Sequence, residues 1–132
     1  MTGSGGAYRF PIEEGKVQEF VSAVGARHPD HQGRDAVVPA TFLMASAWWR
    51  PPEEFALRGM DLTRVLHASQ EFTYIGEPPR AGTELTVDTR IERQWTSSSG
   101  ELHFTTVLDE FRDGHRVVAS ARMTVVIREE AS

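Results

Sequence analysis

The stretch "ATFLMASAWW", Ala40 to Trp49, decides how the chain folds. From Phe42 to Trp49 it is apolar nearly all round, interrupted only by small residues. That pattern belongs to a helix buried on every side. Its alanines and serine let other backbones approach closely, and Pro51-Pro52 ends it. A helix with no polar face needs the rest of the chain wrapped around it.

The residues C-terminal to the stretch can do the wrapping. Glu53 to Leu62 reads as a second short helix or an irregular lid, anchored by Phe55 and Leu57. From Val65 onward the apolar period becomes two, the period of a strand with one covered face. A strand beginning at Leu66 runs through "HASQEFTY" to the breaker "GEPPRAG". In "ELTVDTRIERQW", Leu85, Val87, Thr89 and Ile91 face one way. After the turn "SSSG", "ELHFTTVLDEF" places Leu102, Phe104, Thr106 and Leu108 on one side. "RDG" is an Asp-Gly hairpin signal. The last strand sends Val117, Ala119, Ala121, Met123, Val125 and Ile127 inward.

The N-terminal side is simpler. "YRFPI" is a short strand stopped by Pro11, and Glu13 to Val24 is an amphipathic helix with Val17, Phe20, Val21 and Val24 on one stripe. Gly25 stops it. Residues 1–7 are Gly/Ser-rich and read as a flexible lead, so the expected domain is 8–132. A long antiparallel sheet with one face covered by a buried helix is an α+β arrangement. Strands of this length in so small a domain are expected to pair with a second copy.

Composition narrows the function. The 132 residues carry no cysteine, which removes disulfides, thiolate metal sites and a cysteine nucleophile. The expected compartment is a reducing cytoplasm. Net charge is −5, against a nucleic-acid surface, and no apolar run approaches a membrane span. Gly-x-Gly-x-x-Gly, P-loop and Gly-x-Ser-x-Gly motifs are absent. His28 and His31 lack companions at metal-ligand spacing, so no metal is expected.

Four pieces in order, "YRFPIEEGKVQEFVSAVG", "VPATFLMA", "LHASQEFTYIGEPPRAG" and "VVASARMTVVIR", resemble the MaoC-like acyl dehydratases. The likeness runs from Tyr8 to Arg128 and is strongest to the N-terminal-type domains that also serve as substrate-binding subunits of mycobacterial two-subunit 3-hydroxyacyl-carrier-protein dehydratases. It implies a hot-dog fold, an antiparallel sheet wrapped around a central helix. It also implies reversible hydration of an enoyl thioester, and a homodimer or a heterodimer with another MaoC-like subunit. No cofactor is implied beyond the coenzyme A or carrier protein that bears the acyl group.

The family's catalytic motif reads Gly-Asp-x-Asn-Pro-x-His. On this chain it falls on "GARHPDH": Gly25, Pro29 and His31 match, Ala26 replaces the aspartate, and His28 replaces the asparagine. The resemblance makes His31 the candidate catalytic group, with Asp30 or Asp35 as substitute acids. It implies that His31 points into an acyl-thioester cleft near the N-terminal end of the Thr41 helix. Substrate contacts are expected from Pro39, Thr41, Phe42, Met44 and Trp48. Arg116, Arg122 and Arg128 share a strand face able to meet phosphates. Two other readings stay open: a hot-dog thioesterase, disfavoured because "TFLMASAWW" holds no acid to activate water, and a non-catalytic acyl-binding module.

Overall fold

The computed structural model describes residues 4–54, 57 and 59–129. In chain order these form β1 (Ser4–Pro11), α1 (Glu14–Val24), 3-10 helices η1 (Pro29–His31), η2 (Phe42–Trp49), η3 (Pro52–Glu54) and η4 (Leu62–Arg64), then β2 (Val65–Tyr74), β3 (Glu84–Thr96), β4 (Leu102–Asp113) and β5 (Arg116–Arg128). The strands make one antiparallel sheet in the order β1-β3-β4-β5-β2. This is the antiparallel sheet expected from the resemblance. Of the expected flexible lead, Ser4 to Ala7 instead belong to β1, because their backbones pair with Asp88 to Arg90.

The sheet's register explains the core. Tyr8, Val87, Phe111, Ala119 and Tyr74 form one row across all five strands. Alternation puts residues two apart on the same face, so Val107 and Phe111, both buried, mark the inner side of β4. Leu102, Phe104, Thr106 and Leu108 therefore share the outer side. Their periodicity groups them correctly, but the main core lies under the opposite set. Burying Leu108 on the outside requires cover. The guanidinium of Arg122, which donates two hydrogen bonds to Glu92 at 2.8 and 3.1 Å, lies across that face.

Residues of α1 face the sheet through Val17 and Val21. Gly25 ends it in a left-handed conformation (φ 69°) that an L side chain rarely adopts, and this turns the chain into the "GARHPDH" loop. Aromatic rings join β1, α1 and η2: Phe42 stacks on Phe10 at 6.1 Å and meets Phe20 edge-on at 5.4 Å.

The helix at 42–49 is present but is not buried all round. It is wound as a 3-10 helix, whose side chains repeat every three residues. Phe42, Leu43 and Ser46 are buried, while Met44 and Ala47 are exposed and Trp48 is 90% exposed. The described chain thus covers only part of so apolar a segment. In the Glu53 to Leu62 region Leu57 is buried, as expected, against Val107 and Val125, whereas Phe55 lies outside the described residues. No helix among the described residues is long and apolar enough to cross a membrane.

Candidate functional site

The "GARHPDH" loop is held from three sides. Ala26 N–H bonds Val21 O at 3.0 Å, continuing the helix cap, and its methyl packs on the core. The Gln32 side chain donates to Ala26 O, and Gln18 donates to the carbonyls of His31 and Gly33. His28 caps η1: its Nδ1 accepts from the Asp30 N–H at 3.1 Å. That is a structural role for Nδ1.

His31 is half-buried, with its Nδ1 2.6 Å from Val37 O. A carbonyl only accepts, so Nδ1 donates, and in the ring's neutral form the lone pair lies on Nε2. Val37 is itself fixed, bridging to Arg80 while Val38 and Ala36 exchange backbone hydrogen bonds with Pro79 and Ala81. Asp30 is exposed, and its side chain lies 3.7 Å from His28 rather than against His31. Asp35 is exposed as well, with its carbonyl accepting from Arg80.

An apolar groove of about 520 Å³ lies between α1 and η2. Lys16, Glu19, Phe20 and Ala23 form one wall, and Phe42, Ala45 and Trp48, the same 3-10 row, form the other, with Trp49 beside them. Of the expected substrate contacts, Phe42 and Trp48 line it. Pro39 is buried, and Thr41 and Met44 are exposed, outside the lining. His31 is not among the lining residues. At about 100° per residue, Gln18 leaves α1 roughly opposite the Lys16–Phe20 wall, and Gln18 is what grips the His31 loop. The histidine and the groove thus flank different sides of one helix.

The strand arginines separate by role. Arg122 is spent on Glu92, and the outer-face pairs Arg90–Glu110 and Arg112–Asp88 complete a charged ladder. Arg116 lines a second, smaller pocket of about 170 Å³ with Arg80, Glu77 and Asp113, whose opposed charges cancel.

One feature escapes the sequence reading. Asp109 shares the inner face of β4 with Val107 and Phe111, in the row Gly6–Thr89–Asp109–Ala121–Phe72. The hydroxyls of Tyr8 and Thr89 and Oδ1 of Asp109 are buried there without a hydrogen-bond partner among the described residues. Burial pushes the Asp109 carboxyl above its ordinary range, with the nearby Thr89 hydroxyl and Arg50 pulling it partly back. Burial, then Asp109, also pushes the Tyr8 phenol up. The alternation of Val107, Asp109 and Phe111 was the available signal.

A five-stranded curved sheet closed by a helical segment, with an apolar groove beside it, defines a hot-dog domain. The chain belongs to the FAS1-like dehydratase domain region family, whose match covers residues 2–120. It is 33% identical over 125 residues to a UPF0336 protein of Clavibacter michiganensis, covering 86% of this chain and 82% of that one. A UPF0336 protein of Streptomyces griseus is 34% identical over 95 residues, 63% of this chain but only 62% of the relative's length. Among solved structures, the Mycobacterium tuberculosis HadBC (3R-hydroxyacyl-ACP dehydratase) complex superposes with a TM-score of 0.76 at 20% identity, over 96% of this chain and 94% of that one. The MaoC-like dehydratase of Rhodospirillum rubrum gives 0.67 at 17% identity, over 96% and 92%. At such identities the structural likeness is one of fold.

Proposed function

We propose that this chain is the substrate-holding subunit of a two-subunit hydro-lyase acting on 3-hydroxyacyl or enoyl thioesters, carried on coenzyme A or a carrier protein in the cytoplasm. The observation that carries this reading is Ala26: the motif keeps its histidine, but a methyl packed on the core stands where an acid would be.

Elimination of water from a 3-hydroxyacyl thioester needs a base for the C2 proton, an acid for the leaving hydroxyl and donors for the enolate-like oxygen. His31 offers one bare ring nitrogen in a fixed tautomer, and one group rarely fills both proton-transfer roles. Neither Asp30 nor Asp35 stands against it. The partner subunit therefore supplies the complete Asp/His pair, and this chain contributes the apolar groove for the acyl tail. The exposed Trp48 wall supports the reading, since an apolar surface of that kind marks a site to be covered. The HadBC structure being a complex of subunits points the same way.

The test is hydration of crotonyl-coenzyme A and of dodecenoyl-coenzyme A by this chain alone and mixed with a MaoC-like protein encoded beside it. The expected result is activity only in the mixture, with the longer substrate gaining more. Full activity of the chain alone would overturn the proposal.

A further inference from the structure

Two apolar clusters lie on the inner face of the sheet. One holds Phe10, Phe42 and Phe111, and the other Leu57, Val107 and Val125. Asp109 stands between them on β4, flanked by Thr89 of β3 and near Tyr8 of β1. Above these groups runs η2. Its buried row presents Ser46 toward Tyr8, and Arg50 at its end faces both Tyr8 and Asp109. The neighbouring row of the same helix, Phe42, Ala45 and Trp48, is the groove wall.

We propose that Asp109, with Thr89 and Tyr8, is a polar seat that positions η2 and so sets the width of the groove that η2 walls. The physical reason is register. A segment as uniformly apolar as Phe42–Trp49 has little to choose between neighbouring positions on an apolar sheet. The buried polar atoms break that degeneracy. Sliding η2 by one residue would set the methyl of Ala45 or Ala47 where the Ser46 hydroxyl now faces Tyr8, taking from the buried polar atoms the polar neighbour that η2 supplies. The raised titration of Asp109 fits this seat, because a neutral carboxyl both donates and accepts.

That the groove takes an acyl tail rests on the proposed function; that Asp109 positions η2 does not, and two measurements separate them. In a Trp48→Phe/Trp95→Phe background Trp49 is the one tryptophan left, and acrylamide quenching reports its exposure without any ligand. Calorimetric titration with dodecanoyl-coenzyme A, in protein with all three tryptophans, reports the groove. Asp109→Ala and Thr89→Val are expected to alter Trp49 quenching and to weaken dodecanoyl-coenzyme A binding about fivefold or more, the scale of one stranded buried polar group. Asp109→Asn, which keeps the shape and a polar head group, restores both. Quenching in Asp109→Ala equal to the parent, or Asp109→Asn as disturbed as Asp109→Ala, overturns the seat. Should Asp109→Ala not fold, Thr89→Val against Asp109→Asn decides. If the unaltered protein binds no dodecanoyl-coenzyme A, the acyl reading of the groove fails while quenching still judges the seat.

Discussion

The His31 ring is pinned through Nδ1 to the carbonyl of Val37, 2.6 Å away, and Val37 is bridged to Arg80 on the loop that leads into β3. The loop histidine is thus referenced to the sheet rather than left to the loop. Its orientation survives the loss of the neighbouring acid, which is why restoring that acid is a meaningful experiment.

Ala26→Asp is expected to raise the hydratase rate of the isolated chain. A missing acid–base group commonly costs ~10²–10⁴-fold, and part of that range should return. His31→Ala in the Ala26→Asp protein should remove the gain. Steady-state hydration of crotonyl-coenzyme A measures both, and a gain that survives His31→Ala would show that the loop is only a connector.

Trp48→Ser is expected to leave stability within about 0.5 kcal/mol of the parent, because the side chain is 90% exposed in the lone chain. Association should suffer instead, since this ring belongs to the wall a partner would cover. Urea unfolding checks the first expectation and sedimentation velocity the second. Marked destabilisation with unchanged assembly would place Trp48 in the chain's own core.

Asp109→Asn should flatten the pH dependence of folding. The folded-state pKa of Asp109 is raised by burial, so its contribution is fully present below the unfolded carboxylate value and is lost as pH rises through the folded value. The substitution is therefore expected to raise the denaturation midpoint at pH 8 more than at pH 4. Equal shifts at the two pH values would mean that the carboxyl stays ionised at no cost.

Glu92→Gln carries the opposite sign. Hydrogen bonds from Arg122 hold the Glu92 carboxyl below its ordinary value, so its stabilisation is present above the unfolded pKa and is lost as pH falls through the folded one. Both partners are partly exposed, so the loss at pH 7 should be about 0.5–1 kcal/mol and should shrink in high salt. Unfolding at pH 7 and pH 3 measures it; a loss that is larger at pH 3 would contradict the ion pair.

Local signals determined the elements. Val17 and Val21 fixed a helix face, Gly25 its end, and Leu85, Val87 and Thr89 a covered strand face, because helix and strand periods are written in neighbouring residues. The loop motif, its histidine and its missing acid were equally legible. Which face of β4 turns inward was not, since both its alternate sets are apolar enough to be buried and only the neighbouring strands choose between them. Nor was the state of Phe42–Trp49: its composition asked for cover on every side, while one chain buries Phe42, Leu43 and Ser46 and leaves Met44, Ala47, Trp48 and Trp49 exposed. Asp109 became visible only when register set it between Thr89 and Ala121 beneath η2. Burial, and with it the meaning of a carboxyl group, depends on residues far away in the chain, and only the tertiary structure brings them together.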